Sequence, residues 1–386
     1  MKQGTTLPLL AISMAAMALA GEPHVRREGA FWVEVVQATE TLPAGAKLRV
    51  STVGAVTVKG ARGNALSYTL TKRVKARNEG EARQLLESLL LRTARRGMVT
   101  VLSVQSVEGL DADLEVTAPQ KSREIVIETL GGAVEASQFD GAIHAQTGGG
   151  RVSLDQISGA VVAKTAGGDI VLGRMGGSVR CVSGGGVIRA DSIRGEAFFE
   201  TAGGDITVQE VDGPIRCSTN GGGIHIAQAG NLVIADTAGG PIEVGDAKGM
   251  VTAKNSGGPI QVGSASEARC ESAGGAIRLT SISGSLKATT AVGSIIARFQ
   301  SQPVAESFLS TGAGDITLWI PSNLKVTVLA RNVTYGGARR IVSDFPAIAV
   351  KSAGAAVIAE GTLNGGGPLV RISGSGGTIF IRRQEK

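Results

Sequence analysis

The chain has 386 residues, 56 of them Gly and 11 Pro, with 42% hydrophobic residues, 19% charged residues and a formal net charge of +6. Glycine runs at about twice the usual ~7%, yet Gly and Pro together stay below the ~25 to 30% of low-complexity disorder, and no Gly-X-Y period marks a collagen. Only 2 Trp, 2 Tyr and 8 Phe are present, so a core must be made of Val, Ile, Leu and Ala, which suits a thin, regular structure. The length allows two or three ordinary domains unless the architecture is repetitive.

In chain order, the first segment is Met1 to Ala20, with Lys2, an apolar stretch from Leu7 and small residues at Ala18 and Ala20. This reads as a secretory signal peptide cleaved before Gly21, and it predicts export to the periplasm, the cell surface or the medium. The apolar run is shorter than the ~20 residues of a bilayer span, and no later segment is long and apolar enough to make one. Gly21 in place of Cys argues against a lipid-modified N-terminus. Three cysteines, Cys181, Cys217 and Cys270, leave one unpaired in any scheme, so disulfides do not staple the fold.

Ala30 to Val58 and Val99 to Val116 read as strands, with Ser51 to Val56 as an isolated first coil. Between them, Glu81 to Arg96 places Ala82, Leu85, Leu86, Leu89, Leu90 and Ala94 on one helical face, with Gly97 as a stop signal. Such a helix would cap the open end of a stack of strands.

From Thr129 the chain repeats itself. The motif [Thr/Ser]-x-Gly-Gly-x-[Ile/Val]-x-aliphatic starts at Thr129, Thr147, Thr165, Ser183, Thr201, Thr219 and Thr237, 18 residues apart, and continues degenerately at Asn255, Ser272, Thr290 and Thr311. With the starting residue as position zero, apolar residues recur at positions 5, 7, 10, 14 and 16, and Gly recurs at position 12. Alternation at 5 and 7 and at 14 and 16 predicts two strands per repeat, each with one buried face. A single unit cannot bury that face alone, but stacked copies can. The expected fold is therefore all-β, a β-solenoid of 18-residue coils with two strands each and an N-terminal cap containing one amphipathic helix. Roughly ten or eleven coils at ~4.8 Å would make a rod on the order of 50 Å long. Corner glycines are expected from positive φ and from close approach of successive coils, and the Thr column is expected to stack its hydroxyls. Cys181 and Cys217 fall at inward position 16, where they read as packing residues, with Cys270 beside them after a one-residue deletion.

After Thr311 the coils become irregular, Gly365 to Gly367 and Gly376–Gly377 mark terminal turns, and Arg382–Arg383 reads as a basic tail. The expected division is 1–20 signal peptide, 21–128 N-terminal strands, first coil and helical cap, 129–320 regular array, and 321–386 irregular coils and C-terminal cap.

The opening Leu48-Arg49-Val50 with Ala55 to Val58, the Glu-rich insertion at Glu79 to Arg96, the Gly-Gly-Asp-Ile type repeats at Gly203 and Gly314 and the closing Leu363 to Pro368 resemble the bacterial putative-adhesin family of β-strand-repeat proteins, also labelled a domain of unknown function. The resemblance implies a surface-attachment architecture and brings no functional residues with it.

Catalytic and cofactor chemistry find little support. A calcium β-roll needs an Asp at every half-coil, because Ca²⁺ takes 6 to 8 oxygens, whereas Asp169 and Asp205 stand two coils apart. Gly184 to Gly186 lacks the Lys-Ser/Thr and the helix of a phosphate loop. His144 and His225 lie more than four coils apart, so no metal cluster or nucleophile–base pair forms from them. No enzyme, metal or cofactor is expected; the alternative is a polysaccharide-processing β-helix, lyase or hydrolase, which would need clustered charges on adjacent coils. Residues 129–320 hold 13 Lys plus Arg against 17 Asp plus Glu, so the basic excess lies in the flanks. Within the array, position 15 collects Arg180, Arg216 and Lys287, with Phe198 and Ile234 interleaved, a stripe suited to acidic glycans or envelope polymers, and the expected partner is an envelope glycan or a surface protein. Export and the scarcity of aromatics for base stacking argue against nucleic acid.

Overall fold

The structure, a computed structural model, describes residues 25–105, 109–300, 305–333 and 340–384; the signal-peptide segment and His24 lie outside them. Two sheets of 18 strands face each other across one continuous apolar core. In the array the first sheet carries positions 5 to 10 of each repeat and the second carries 14 to 18, and both ladders are parallel and in register. Val134 lies beside Val152, Ile170, Ile188 and Ile206 in turn, one step per repeat. The expected inward positions are buried: in one coil Ile206, Val208, Val211, Ile215 and Cys217 are all at or below 2% exposure. The three cysteines are free and buried. Burial pushes the Cys181 and Cys217 thiols far above their ordinary value and Cys270 up to about 12.

Three devices lock coil to coil at the corners, two polar and one steric. The starting Thr does not stack on its neighbours. Thr201 Oγ1 donates to the Gly186 carbonyl of the preceding coil at 2.8 Å and accepts from the Gly204 N–H, and Thr147, Thr165, Thr219 and Thr237 donate in the same way. Each buried hydroxyl thus satisfies corner backbone groups that the ladders leave unpaired. Aspartate at position 4 receives the next coil's backbone N–H, Asp169 from Val187 at 2.9 Å and Asp205 from Gly223 at 2.7 Å. That is the work of the Gly-Gly-Asp motif. The third device is steric: a Cβ on Gly150 would stand 2.0 Å from the Gly132 oxygen, and one on Gly159 would stand 2.4 Å from that of Gly141. Between Thr129 and Val292 no glycine among the described residues has positive φ. Close stacking explains the glycines at positions 3 and 12, whereas those at position 2, such as Gly149 and Gly185, have nothing within 4 Å; the expected contribution of left-handed backbone is absent from both sets.

The ends depart from sequence order. The N-terminal elements are β1 (Arg26–Glu28), β2 (Phe31–Thr41), β3 (Lys47–Thr52), β4 (Val56–Ala61), β5 (Ala65–Val74), α1 (Glu79–Ser88), β6 (Leu91–Arg96), β7 (Val99–Val104), β8 (Leu110–Pro119), β9 (Glu124–Thr129) and β10 (Val134–Phe139). The first coil, β3 with β4, lies between the coil β7–β8 and the coil β9–β10. The last coil, Leu369–Ser375 with Thr378–Gln384, is likewise inserted between the coil of Ser307–Ala313 and the coil of Val326–Val333. Arg382 and Arg383 are therefore part of an internal strand, not a tail; Arg382 pairs with Asp344 at 2.9 Å. Including these end coils, the stack holds about fifteen two-strand coils rather than ten or eleven, roughly 70 Å of rod.

The helix is shorter than its apolar face suggests. Asn78 accepts from the Glu81 N–H and Glu81 returns a bond to the Arg77 N–H, which fixes the start. Ala82, Leu86 and Leu89 face the core between the sheets, while Leu90 is half exposed. Residues Leu91 to Arg96, expected as helix, form β6 and turn through Gly97 at φ 61° to pair antiparallel with β7. β7 is the outermost coil strand there, and its unpaired backbone edge outweighs helix propensity. Lys72, buried on β5, pairs with Glu34 at 2.6 Å and donates to the Leu86 carbonyl, tying the helix end to the strands beneath it.

Candidate functional site

The second sheet turns position 15 outward. Register places Arg180 beside Phe198 and Phe198 beside Arg216. Beyond Arg216 the column runs through Ile234, Thr252, Arg269 and Lys287. It continues through Phe308 and Arg371 to Leu329. In the other direction it passes Val162, His144, Val126 and Arg49. The structure thus brings the three sequence-derived residues onto one face and one line, and it adds Arg49, Arg269 and Arg371. Arg269 could have been found, because the deletion that leaves Cys270 inward leaves its neighbour outward. Arg49 and Arg371 join the line through the inserted coils, which no repeat count reveals.

The cations of this column differ in what they touch. Arg180 stacks over the Phe198 ring at 4.0 Å, a cation–π contact that spreads the guanidinium along the face. Arg180 and Arg216 make no ion pair among the described residues. Lys287 lies 4.0 Å from Glu271, which Arg269 also binds at 3.0 Å. Hydrogen bonding from Arg269 holds the Glu271 carboxyl below its ordinary range, with Lys254 and Lys287 adding to it. A shallow groove of about 540 Å³ follows the column at Arg269, Lys287, Phe308 and Arg371.

Two other features compete. A polar groove of about 640 Å³ runs along one rim of the first sheet between Arg62, Gln120, Gln138, Gln156, Arg174 and Arg194. Gln138 and Gln156 have φ of 68° and 56°, and the ladder skips a rung beside them. Burial works against the Asp155 carboxylate there, but the N–H groups of Arg174 and Gln156 outweigh it and hold the carboxyl below its usual range. On the first sheet Trp319 sits in register between Arg298 and Arg382, with Arg298 5.3 Å from its ring. His225 pairs with Glu243 at 3.2 Å, and His144 lies 3.8 Å from Glu124, so each histidine faces a single carboxylate. Among the described residues, no three His, Cys, Asp or Glu side chains are grouped to hold a metal ion.

The family model described as Toastrack DUF4097 matches residues 47–340. The chain belongs to this family. It is the domain-of-unknown-function family, also carried under adhesin names, that the opening strands and closing glycines resemble. Among solved structures, this chain matches a putative cell adhesion protein from Clostridium sporogenes ATCC 15579, at 10% identity and a TM-score of 0.18 over 90% of this chain and 99% of that one. A putative adhesin from Bacteroides fragilis NCTC 9343 is 12% identical with a TM-score of 0.21 over 91% and 97%. A putative lipid binding protein from Parabacteroides distasonis ATCC 8503 is 13% identical with a TM-score of 0.25 over 74% and 96%. No curated protein matches.

Proposed function

We propose that this chain is an exported, adhesin-like binding module of the bacterial envelope that lays an anionic glycan along the outward face of its second sheet and performs no catalysis. The observation that carries this is the column through Arg180, Phe198 and Arg216, whose exposed guanidinium groups stand in register on one face with no acid paired to them among the described residues. Aligned charges raise the local concentration of an anion, and a sheet that is already ordered loses little freedom on binding. Interleaved apolar side chains offer the pyranose rings a surface between the charges.

Retention of the mature chain on an immobilised anionic polysaccharide at low salt tests this. The triple variant Arg180→Ser, Arg216→Ser, Lys287→Ser keeps its melting temperature, because all three side chains point outward, and loses retention. Retention of the wild type should fall with salt, since exposed charges are screened over ~8 Å at physiological ionic strength. Equal retention of both proteins discards the column, and retention of neither leaves a scaffold role. Export is checked separately by the N-terminal residue of the protein recovered from cell fractions, expected to be Gly21.

A further inference from the structure

The spacing of charges on this face carries information about the polymer. Along the position-15 column the basic residues occupy alternate coils, at Arg49, His144, Arg180, Arg216, Lys287 and Arg371. The intervening coils place Val126, Val162, Phe198, Ile234 and Phe308 in the same line. Thr252 and Arg269 are the two departures.

Acids obey the complementary rule except on the coil of Val162, which carries Lys164 at the flanking place. Two residues to either side of the column, Glu124 and Glu128, Glu196 and Glu200, Asp236, and Glu267 and Glu271 all stand on the intervening coils. Among the described residues, no acid occupies those flanking places on the alternate, basic coils from Arg49 to Arg371. Near the ends the two sets are consumed by cross-strand ion pairs such as Lys47 with Glu124 and Lys287 with Glu271. In the middle they are not: Arg180, Arg216, Glu200 and Asp236 make no ion pair among the described residues, so internal pairing does not account for the pattern there.

We infer that the face reads a linear acidic polysaccharide with one carboxylate per disaccharide. This rests on the glycan-binding reading above and names the polymer class within it. Two coils span ~9.6 Å, close to the length of two β-linked pyranose rings in an extended chain. A carboxylate on every second sugar would meet a base on each alternate coil but that of Thr252, and the sugar between would lie over Phe198 or Ile234. A carboxylate on every sugar would bring half of its charges beside Glu200 and Asp236, where like charges repel.

The probes are hyaluronate and polygalacturonate oligosaccharides of equal sugar number, titrated against the mature chain at low salt. Hyaluronate should bind about tenfold more tightly although it carries half the charge. Thr252→Arg, which fills the missing base, should strengthen hyaluronate binding severalfold. The variant Phe198→Lys, Glu200→Gln, Ile234→Lys, Asp236→Asn, changed only at outward positions, should reverse the preference toward polygalacturonate. Equal or tighter binding of polygalacturonate by the wild type overturns the two-coil period while leaving the polyanion reading intact. Binding of neither polymer overturns both.

Discussion

From Ala142 to Val292 each coil lies beside the coils that precede and follow it in the chain, whereas at each end the terminal coil is enclosed between two coils that are consecutive in the chain. The central region shows how a repeat propagates. Thr201 and Asp205 grip the neighbouring coils through the same corner bonds that recur along the array, so every unit is stabilised by copies of itself. The ends show that the same logic cannot stop, because a last coil would always expose two strand edges. Here the N-terminal coil is held on both sides, Thr52 bonding to Ala112 and Thr129 to Gly54. The C-terminal coil is held in the same way, with Ser375 bonding to Gly312 and Asn332 to Gly377. The outermost strands are short or basic: Arg26–Glu28, Leu91–Arg96 with three arginines, Arg340–Ser343, and Ile348–Ala353 with Lys351. These are established ways of blunting an edge.

The comparison can be broken most severely in the core. Ile206→Asp places an unpaired charge among fully buried neighbours and should cost at least about 4 kcal/mol, enough to abolish cooperative unfolding, while Thr207→Asp, one residue on and facing out, stays within about 0.5 kcal/mol. Thermal melts of the pair decide whether position 5 is inward.

A chain ending at Pro368 tests the inserted coil. In a solenoid stacked in sequence order this would shave off one terminal coil. Here it removes the layer between Ser307–Ala313 and Val326–Val333, so hydrogen-exchange protection should be lost in Val326–Val333 and Ala356–Leu363. Protection that persists there would contradict the insertion.

Corner sterics come next. Gly186→Ala drives a Cβ to 2.1 Å from the Gly168 oxygen, whereas Gly185 beside it has nothing within 4 Å. The first should lower stability by about 1 to 3 kcal/mol through overpacking, and the second should be neutral or slightly stabilising. Thr201→Val, which keeps the shape and deletes both hydroxyl bonds, should cost about 1 to 3 kcal/mol in denaturant titrations.

The smallest effect lies on the outward face. Glu271→Gln removes an exposed ion-pair partner and should cost under about 1 kcal/mol. The Glu271 carboxyl titrates below its unfolded range because of Arg269, so its contribution is present above the unfolded value of ~4.3 and fades as pH falls through the lower folded value. The difference in stability between wild type and variant should therefore shrink on acidification below about pH 4.

Much of this protein is legible from its residues in order. Strict 18-residue spacing of Val, Ile and Gly specifies two strands per coil, the buried face and the corners, because only stacking can hide a thin unit's apolar side. The same count puts Arg180, Arg216 and Lys287 in one outward line. Other features depend on groups far apart in the chain. Leu91 to Arg96 carries a helical pattern yet becomes strand because β7 offers an open edge. Gln138 and Gln156 adopt left-handed backbone that their side chains do not announce. Arg49 and Arg371 enter the charged column only through coils inserted between distant neighbours. Local periodicity is written residue by residue, and so the sequence alone determined the coil. Where the stack ends is settled by competition for unpaired backbone edges, and only the assembled tertiary structure decides which segment wins.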